Sequence, residues 1–504
     1  MISINLYIKN IIVITTDCIA LSLIILLSPP AEAASSSFNK SRINWLPCTK
    51  PQFKFWFEGR LPPPMLECAR MAAPLIYSNR REAGSSPPRR RVSLAITRLP
   101  ATGRKQGSLV IITGGPGMSG IIQLLDPRTD AVKRLRESYD IIRYDPRGVG
   151  QSTPKISCAS YVSRENALVV DDAGDRAMAA YVEACIKTTG RTVLEHIGTN
   201  EAVDDLDLLR RQLGEEFLTA IAYSYGTQVA ALYAERYPGS VRAIVLDGVV
   251  DLAEDWQTMR LNQQRGYQNT FERFVSFCNL EKSCPFKDSV EKTTADFHRL
   301  LQAVDNRPFS TTGGYRVTTR EVLAVTTYGL LWKTHWPTLG EAFEALSNGK
   351  ADKIKELAET ILKEDEIDAS VAITCADSAS PTKDRQERIA RAKAVKEAAP
   401  YANYNPDVIE INVCDMWPFA GKLSARIPTL PDNLPALLFV AQKYDPTTPH
   451  INARRMADYF RSPLVSKNAD GHTLVLTGSD KCVDQEVTSY LLKPTEPRQD
   501  KACD

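Results

Sequence analysis

The sequence has little net charge, no long apolar run after its first segment, and few histidines. Lys and Arg number 62 and Asp and Glu number 60, so the net charge of +2 gives no field that attracts nucleic acid or an anionic membrane surface. After residue 33, no run approaches the roughly 18 apolar residues that a membrane span requires. The 504 residues, 43% of them hydrophobic, suffice for one large core or two medium ones. This composition excludes disordered, fibrous and polytopic membrane classes.

The first 33 residues have the layout of a signal peptide. Lys9 precedes an apolar run over residues 11–27, and the small-residue pattern Ala31-Glu32-Ala33 follows. The alternative is a transmembrane anchor, but polar residues at positions 15–17 interrupt the run. We therefore predict cleavage after Ala33, a secreted or periplasmic protein, and no stable membrane span in the mature chain.

The cysteines favour an oxidising compartment. Of the eleven, one lies in the signal segment, and the remaining ten fall into five pairs that are close in sequence. The predicted disulfides are Cys48–Cys68, Cys158–Cys185, Cys278–Cys284, Cys375–Cys414 and Cys482–Cys503. Ten buried thiols in a cytosolic enzyme are the alternative, which the signal segment disfavours. Neither C-x-x-C nor H-E-x-x-H occurs, so no zinc site is supported.

Apolar periodicity predicts an α/β protein. Residues 34–91 are Pro-rich and are predicted to form an irregular arm. Over residues 92–250, short apolar runs alternate with helical stretches, which is typical of a mostly parallel sheet with helices on both faces. Residues 251–430 read as a large helical insertion, and the alternation resumes over residues 431–504. The fold class is therefore a parallel central sheet interrupted by a helical cap.

Ser224 is the candidate nucleophile. It lies in Ala222-Tyr223-Ser224-Tyr225-Gly226, between a predicted buried strand and a predicted helix. A serine on such a strand-to-helix turn is lifted clear of the sheet, and its close neighbours must be small. The alternative is an ordinary helix N-cap.

A glycine-rich loop after the strand that ends at Ile112 suits an oxyanion hole. In Thr113-Gly114-Gly115-Pro116-Gly117, the glycines allow backbone amides to approach a developing oxyanion. We assign the two donors to Gly115 and Tyr225, with Gly114 as a substitute for Gly115. The loop also matches the dinucleotide motif G-x-G-x-x-G, with Asp145 as the ribose-binding acid, but Pro116 removes an amide that a pyrophosphate loop uses.

His472 and Asp445 complete the predicted site. The chain has only five histidines, and His472 lies in a loop after the last predicted strand. Asp445 follows another predicted strand, at the edge where open α/β sheets place catalytic groups. The order Ser224, Asp445, His472 therefore predicts a catalytic triad. A turn and a surface histidine are the alternatives for these two residues, and the segment 145–152 is predicted to be a structural turn.

The ordered set of motifs resembles the exported tripeptidyl aminopeptidases and proline iminopeptidase relatives of the α/β-hydrolase superfamily, including their TAP-like C-terminal region. The resemblance is carried by residues 114–117, 145–152, 224–227, 372–377, 445–449 and 471–472. Ala222 and Thr113 replace the first glycine of the elbow and the histidine that usually precedes the double glycine.

The resemblance implies the α/β-hydrolase fold and an exopeptidase that removes short peptides or single residues from free N-termini, through an acyl-enzyme and without a cofactor or metal. An exopeptidase needs a carboxylate to bind the substrate ammonium. The candidates are Asp377, Glu254 and Asp255, each of which is equally compatible with a solvated surface acid. An esterase acting on small acyl esters and a non-catalytic binding protein on the same fold remain the alternative functions. Oligomeric state is left open.

Overall fold

A computed structural model describes residues 43–77, 90–122, 126–158, 170–410 and 412–504. The predicted signal peptide lies outside these residues. Within them, no helix combines the length and apolar character needed to cross a membrane.

The strands of the central sheet are β1 (Leu46–Pro47), β2 (Glu67–Pro74), β3 (Arg91–Leu99), β4 (Gly107–Ile112), β5 (Tyr139–Tyr144), β6 (Leu218–Tyr223), β7 (Val241–Asp247), β10 (Leu438–Tyr444), β11 (Leu464–Asp470) and β12 (Lys501–Cys503). Their spatial order is β1-β2-β3-β5-β4-β6-β7-β10-β11-β12. The pairs from β5 to β12 are parallel, whereas β1, β2 and β3 pair antiparallel with their neighbours. The predicted mostly parallel sheet is confirmed.

The helices before β8 are α1 (Asp130–Arg136), α2 (Asp172–Thr189), α3 (Arg191–Leu194), α4 (Thr199–Gln212), α5 (Tyr225–Arg236), α6 (Trp256–Cys278) and α7 (Val290–Asn306). Strands β8 (Phe309–Ser310) and β9 (Arg316–Val317) form a small separate hairpin. The later helices are α8 (Thr319–Leu330), α9 (Trp336–Ser347), α10 (Asp352–Ile361), α11 (Glu364–Ser378), α12 (Arg385–Glu397), α13 (His450–Tyr459) and α14 (Lys481–Leu492). Short 3-10 turns cover Pro51–Phe53, Pro238–Ser240, Lys333–His335, Pro400–Ala402 and Val413–Met416.

Alternation along the strands separates the two faces of the sheet. In β4, Val110 and Ile112 pack into the larger core with α2, α4, α5 and α13, whereas Leu109 and Ile111 pack on the other face with α1 and α14. Because both faces are covered by helices, the central strands carry apolar residues on both faces.

The helices between β7 and β10 build a second hydrophobic core. Aromatic side chains of α6, α7 and α9, among them Phe271, Phe297 and Phe343, are fully buried there. Helix α11 is an exception, because Ala369, Ala372 and its neighbours pack into the core of the sheet instead. Helices are present where the sequence predicts them, in residues 251–430. One of these helices, α11, packs directly against the central sheet.

The predicted irregular arm is wrong in one respect. Residues 67–74 form β2, which pairs over its whole length with β3. The strand was missed because its buried residues are small or flexible, Ala69, Met71 and Ala73, and carry a weak strand signal. The five disulfides join the cysteines in the pairs that the sequence predicts.

Candidate active site

Every residue of the predicted triad follows the carboxyl end of a parallel strand. Ser224 comes directly after β6, Asp445 directly after β10, and His472 two residues after β11. The glycine loop that begins at Gly114 follows β4 in the same way. Since parallel strands share their carboxyl edge, the topology brings all four segments to one rim of the sheet.

Ser224 occupies a strained turn. Its φ of 52° lies in the left-handed region that non-glycine residues rarely adopt. The turn is held by the Ser224 amide, which donates to the carbonyl of Asp247 at 2.9 Å, and by Thr227, whose hydroxyl donates to the Ser224 carbonyl at 2.6 Å. Helix α5 begins at the next residue, Tyr225. This arrangement matches the predicted nucleophile turn.

The glycine loop lies against the serine. A Cβ on Gly114 would come within 2.9 Å of the Ser224 Cβ, so only glycine fits at this contact without a shift. Gly115, the predicted amide donor, has a φ of 113° and lines the same cavity as Ser224 and Tyr225. The two residues assigned to the oxyanion hole, Gly115 and Tyr225, therefore line the cavity that also contains Ser224.

Asp445 and His472 form a buried pair. The imidazole Nδ1 lies 2.8 Å from Oδ2 of Asp445, and both side chains are almost fully buried. The Asp445 carboxylate also accepts hydrogen bonds from the amides of Thr447 and Thr448 and from the Thr448 hydroxyl. Burial lowers the pKa of His472, but the charge and hydrogen bond of Asp445, together with the charge of Asp247, outweigh it, so the pKa lies above its ordinary value.

Asp247 is a residue that the sequence analysis missed. It ends β7, is fully buried, and accepts the amides of Leu474 and Val475 through Oδ2 at 2.7 and 2.8 Å. Its carbonyl accepts the Ser224 amide, and a Cβ on the next residue, Gly248, would lie within 2.9 Å of the His472 ring. Asp247 therefore joins the serine turn to the histidine loop. The sequence signal that could have identified Asp247 is a carboxylate at the end of a predicted strand.

Leu331 and Trp332 hold the histidine loop from the other side. The amide of His472 donates to the carbonyl of Leu331 at 2.8 Å, and the indole Nε1 of Trp332 donates to the carbonyl of His472. The position of the His472 backbone thus depends on the segment that follows α8. No local sequence signal identifies Trp332, because the contact spans 140 residues.

A cavity of about 970 Å³ opens beside Ser224. The three predicted substrate-binding acids, Asp377, Glu254 and Asp255, all line it. The three carboxylates differ in their hydrogen-bond partners and in their exposure to solvent.

Asp377 is fully engaged. Its Oδ1 accepts the amide of Thr199 at 2.7 Å, and its Oδ2 accepts the Thr199 hydroxyl at 2.6 Å. Thr199 begins α4, whose own N-cap residue is Gly198 with no side-chain acceptor, so Asp377 satisfies the end of that helix. Burial raises the pKa of Asp377 to about 7, although the Thr199 hydrogen bonds oppose this. Its carboxylate joins α11 to α4, which differs from the predicted ammonium contact.

Asp255 and Glu254 differ in exposure. Asp255 is exposed and caps α6 by accepting the Thr258 amide at 2.7 Å. The Glu254 side chain is 6% exposed; its Oε1 accepts from Asn262 at 2.8 Å, and its buried Oε2 has no partner among the described residues. Burial raises the pKa of Glu254, Asn262 opposes this, and Asp251 raises it further. Glu254 is therefore the buried acid of the three in which one oxygen accepts no hydrogen bond from a described residue.

Residues 145–152, which the sequence predicts to be a structural turn, form such a turn. Arg147 forms a buried ion pair with Asp205 at 2.6 Å and donates to the carbonyls of Pro74, Leu75 and His196. Asp145 accepts from Ser119 and from the amides of Ile121 and Gln151. These contacts tie loops together below the site, as the sequence analysis expects.

Comparison with known proteins agrees with this architecture. Residues 107–479 match the family described as alpha/beta hydrolase fold. The chain belongs to the alpha/beta hydrolase family. It is 40% identical over 461 residues to the protein YuaR of Escherichia coli (strain K12), and the aligned region covers 90% of this chain and 91% of that one. It is 31% identical over 492 residues to the serine protease Hip1 of Mycobacterium tuberculosis (strain ATCC 25618 / H37Rv), covering 92% and 91%.

More distant members of the alpha/beta hydrolase family carry two different activities in their names. Carboxylesterase B of M. tuberculosis (strain ATCC 25618 / H37Rv) is 27% identical and covers 86% of both chains. Tripeptidyl aminopeptidase of Streptomyces lividans is 25% identical, covering 94% of this chain and 88% of that one. The chain is accordingly a serine hydrolase of the α/β-hydrolase fold, similar to both peptidases and an esterase.

Proposed function

We propose that this protein is an exported serine exopeptidase that hydrolyses peptide bonds near free N-termini. The buried pair of His472 and Asp445, at 2.8 Å, is the observation that carries the proposal. It stands on the same sheet rim as Ser224, whose turn is bonded to Asp247 beside the histidine loop. The five disulfides and the signal-like segment support export to an oxidising compartment.

The proposed reaction uses Ser224 as nucleophile. His472 accepts the serine proton as Oγ attacks the peptide carbonyl, and Asp445 stabilises the resulting imidazolium. The amides of Gly115 and Tyr225 receive the oxyanion. His472 then gives its proton to the leaving amine, and water hydrolyses the acyl-enzyme under residues 251–430, which we propose to be the cap.

Glu254 is the proposed acceptor of the substrate ammonium. Glu254 and Asp251 line the cavity as neighbouring acids, and each lies 3.5 Å from a single cation, Arg455. A protonated amine at the Glu254 carboxylate would relieve the repulsion between the two acids. Neither Asp377, which caps α4, nor Asp255, which caps α6, offers the same opportunity.

Two measurements test this function. A fluorophosphonate probe should label the wild type and not Ser224→Ala; equal labelling of both would refute the nucleophile. Tripeptidyl and aminoacyl amides with free and acetylated N-termini should then be compared with short-chain esters. We expect cleavage of the free-amine peptides, whereas strong ester turnover without amide cleavage would establish the esterase alternative. Complete absence of labelling and turnover would favour the binding-protein alternative.

The ammonium contact has its own test. Glu254→Gln should reduce the preference for a free over an acetylated N-terminus by roughly tenfold or more, because a charge-assisted hydrogen bond is lost. Glu281→Gln, at an exposed position after α6, removes the same charge outside the cavity and is the matched control. An unchanged preference in Glu254→Gln would refute this role.

A further inference from the structure

The first two turns of α6 form one wall of the cavity beside Ser224. Trp256, Met259, Arg260 and Gln263 line it at the spacing of one helix face. The next turn fixes the helix against the loop of Asp445: a Cβ on Gly266 would lie 2.3 Å from the Pro446 carbonyl oxygen. The Tyr267 hydroxyl lies 2.8 Å from that of Thr447. Arg260 is therefore held at a defined place relative to the proposed site.

Arg260 differs from the other cations of the cavity wall. The others have carboxylate partners: Arg236 with Asp204, Arg391 with Asp415, Lys422 with Glu201, and Arg426 with Glu235. Among the described residues, no carboxylate lies within ion-pair distance of Arg260. Its guanidinium donates to Oε1 of Gln263 at 3.2 Å and lies 5.8 Å from the centroid of the Trp256 ring.

The Arg260 guanidinium has donors that no described residue binds. It carries five N–H donors in a planar fork that fits a carboxylate through two parallel hydrogen bonds. Only one donor is used by a described residue, and burial lowers the pKa of Arg260. A ligand carboxylate in the cavity would place a negative charge beside Arg260 and would supply acceptors for the N–H donors that no described residue binds.

We propose that Arg260 binds a carboxylate of the substrate. The inference rests on the proposed function for its choice of peptides as ligands, and it adds a second charge to their recognition. Glu254 would take the ammonium and Arg260, six residues later, the carboxylate. The cavity would therefore select short peptides that carry both charges.

Helix α6 gives the distance from Arg260 to the Asp445 loop, which Tyr267 contacts through Thr447. Arg260 and Tyr267 are seven residues apart, roughly 10 Å along the helix axis at about 1.5 Å per residue. An extended peptide covers that length with about three residues at roughly 3.4 Å each. A carboxylate at Arg260 can therefore come from the C-terminus of a short peptide or from an Asp or Glu side chain.

Binding to the full-length mature chain with Ser224→Ala separates this inference from catalysis. Calorimetry should compare the free acid Ala-Ala-Ala with its C-terminal amide, and the amides of Ala-Glu-Ala and Ala-Gln-Ala. We expect at least one carboxylate to tighten Kd by roughly tenfold to a hundredfold, as for a desolvated charge-assisted pair. The peptide pair that shows the effect identifies its source as C-terminal or side-chain.

Adding Arg260→Gln should remove this preference while leaving the Kd of the neutral Ala-Ala-Ala and Ala-Gln-Ala amides within about twofold. Arg260→Lys should retain part of it as a point charge. Arg265→Gln is the matched control, because it removes a cation from an exposed position of the same helix. Equal Kd values for charged and neutral peptides, no binding of the free acid, or a preference that survives Arg260→Gln would overturn the inference. Failure of the wild type to cleave any peptide would instead refute the exopeptidase function.

Discussion

Asp247→Asn tests whether a buried charge is maintained beside the proposed triad at the expense of stability. Burial raises the pKa of Asp247 from 3.8 to about 7, although the amides of Val475 and Leu474 oppose the rise. At about 1.4 kcal/mol for each tenfold change in proton affinity, the folded state loses about 4 kcal/mol relative to a neutral side chain. The carboxyl has no solvent exposure, so screening by water does not reduce this figure.

The sign of the effect follows from the raised pKa. An Asp in the unfolded chain ionises near pH 4, whereas Asp247 in the folded chain stays protonated until about pH 7. The wild type therefore loses stability as the pH rises from about 4 to about 7. Asparagine keeps an acceptor for the amides of Leu474 and Val475 but does not ionise. Asp247→Asn should thus be more stable than the wild type by about 4 kcal/mol above pH 7, with little difference near pH 4.

Urea denaturation at pH 4, 5, 6, 7 and 8 measures this difference. Asp432→Asn, at an exposed position, controls for the loss of one negative charge. Asp247→Asn should also alter the pH dependence of activity, because the Asp247 charge contributes to the raised pKa of His472. The acid limb of the kcat/KM profile should therefore move to lower pH in Asp247→Asn. Parallel stability curves for the wild type and Asp247→Asn would refute the reasoning.

Three further substitutions probe the site. Asp445→Asn should lower kcat by roughly 10⁴-fold, the scale for losing the triad acid, and should move the acid limb of the rate profile to lower pH; a rate within tenfold of the wild type would contradict the triad. Trp332→Phe removes the indole donor to His472 and should lower kcat about threefold to tenfold without changing KM; a change confined to KM would argue against positioning. Gly114→Ala brings a methyl within 2.9 Å of the Ser224 Cβ and should slow fluorophosphonate labelling, whereas Gly313→Ala, whose methyl would approach no atom closer than 3.9 Å, should not.

The sheet was predictable from the sequence, and the triad could be proposed from it, because the signals of both are local. Apolar runs mark β4, β6 and β10, and two candidate residues directly follow such runs, Ser224 after β6 and Asp445 after β10. Strand β2 escaped detection because small side chains fill its buried positions. Periodicity reports burial in an element, and it fails where burial involves little apolar volume.

The roles of Asp377 and Asp247 depend on contacts between distant parts of the chain. Asp377 meets Thr199 across 178 residues, so its function as a helix cap has no trace in the residues beside it. Asp247 meets Leu474 across 227 residues. A carboxylate in the sequence identifies a potential charge, but only the fold determines whether its oxygens are already occupied.

The two hydrogen bonds between the Leu331–Trp332 segment and the backbone of His472 constrain how this enzyme can be engineered or diversified. Replacing the proposed cap with that of another hydrolase, in order to change the substrate preference, would remove the two hydrogen bonds that hold the backbone of His472, the proposed general base. A chimera that keeps these two residues at the junction should remain active, whereas one that omits them would require its histidine loop to be rebuilt.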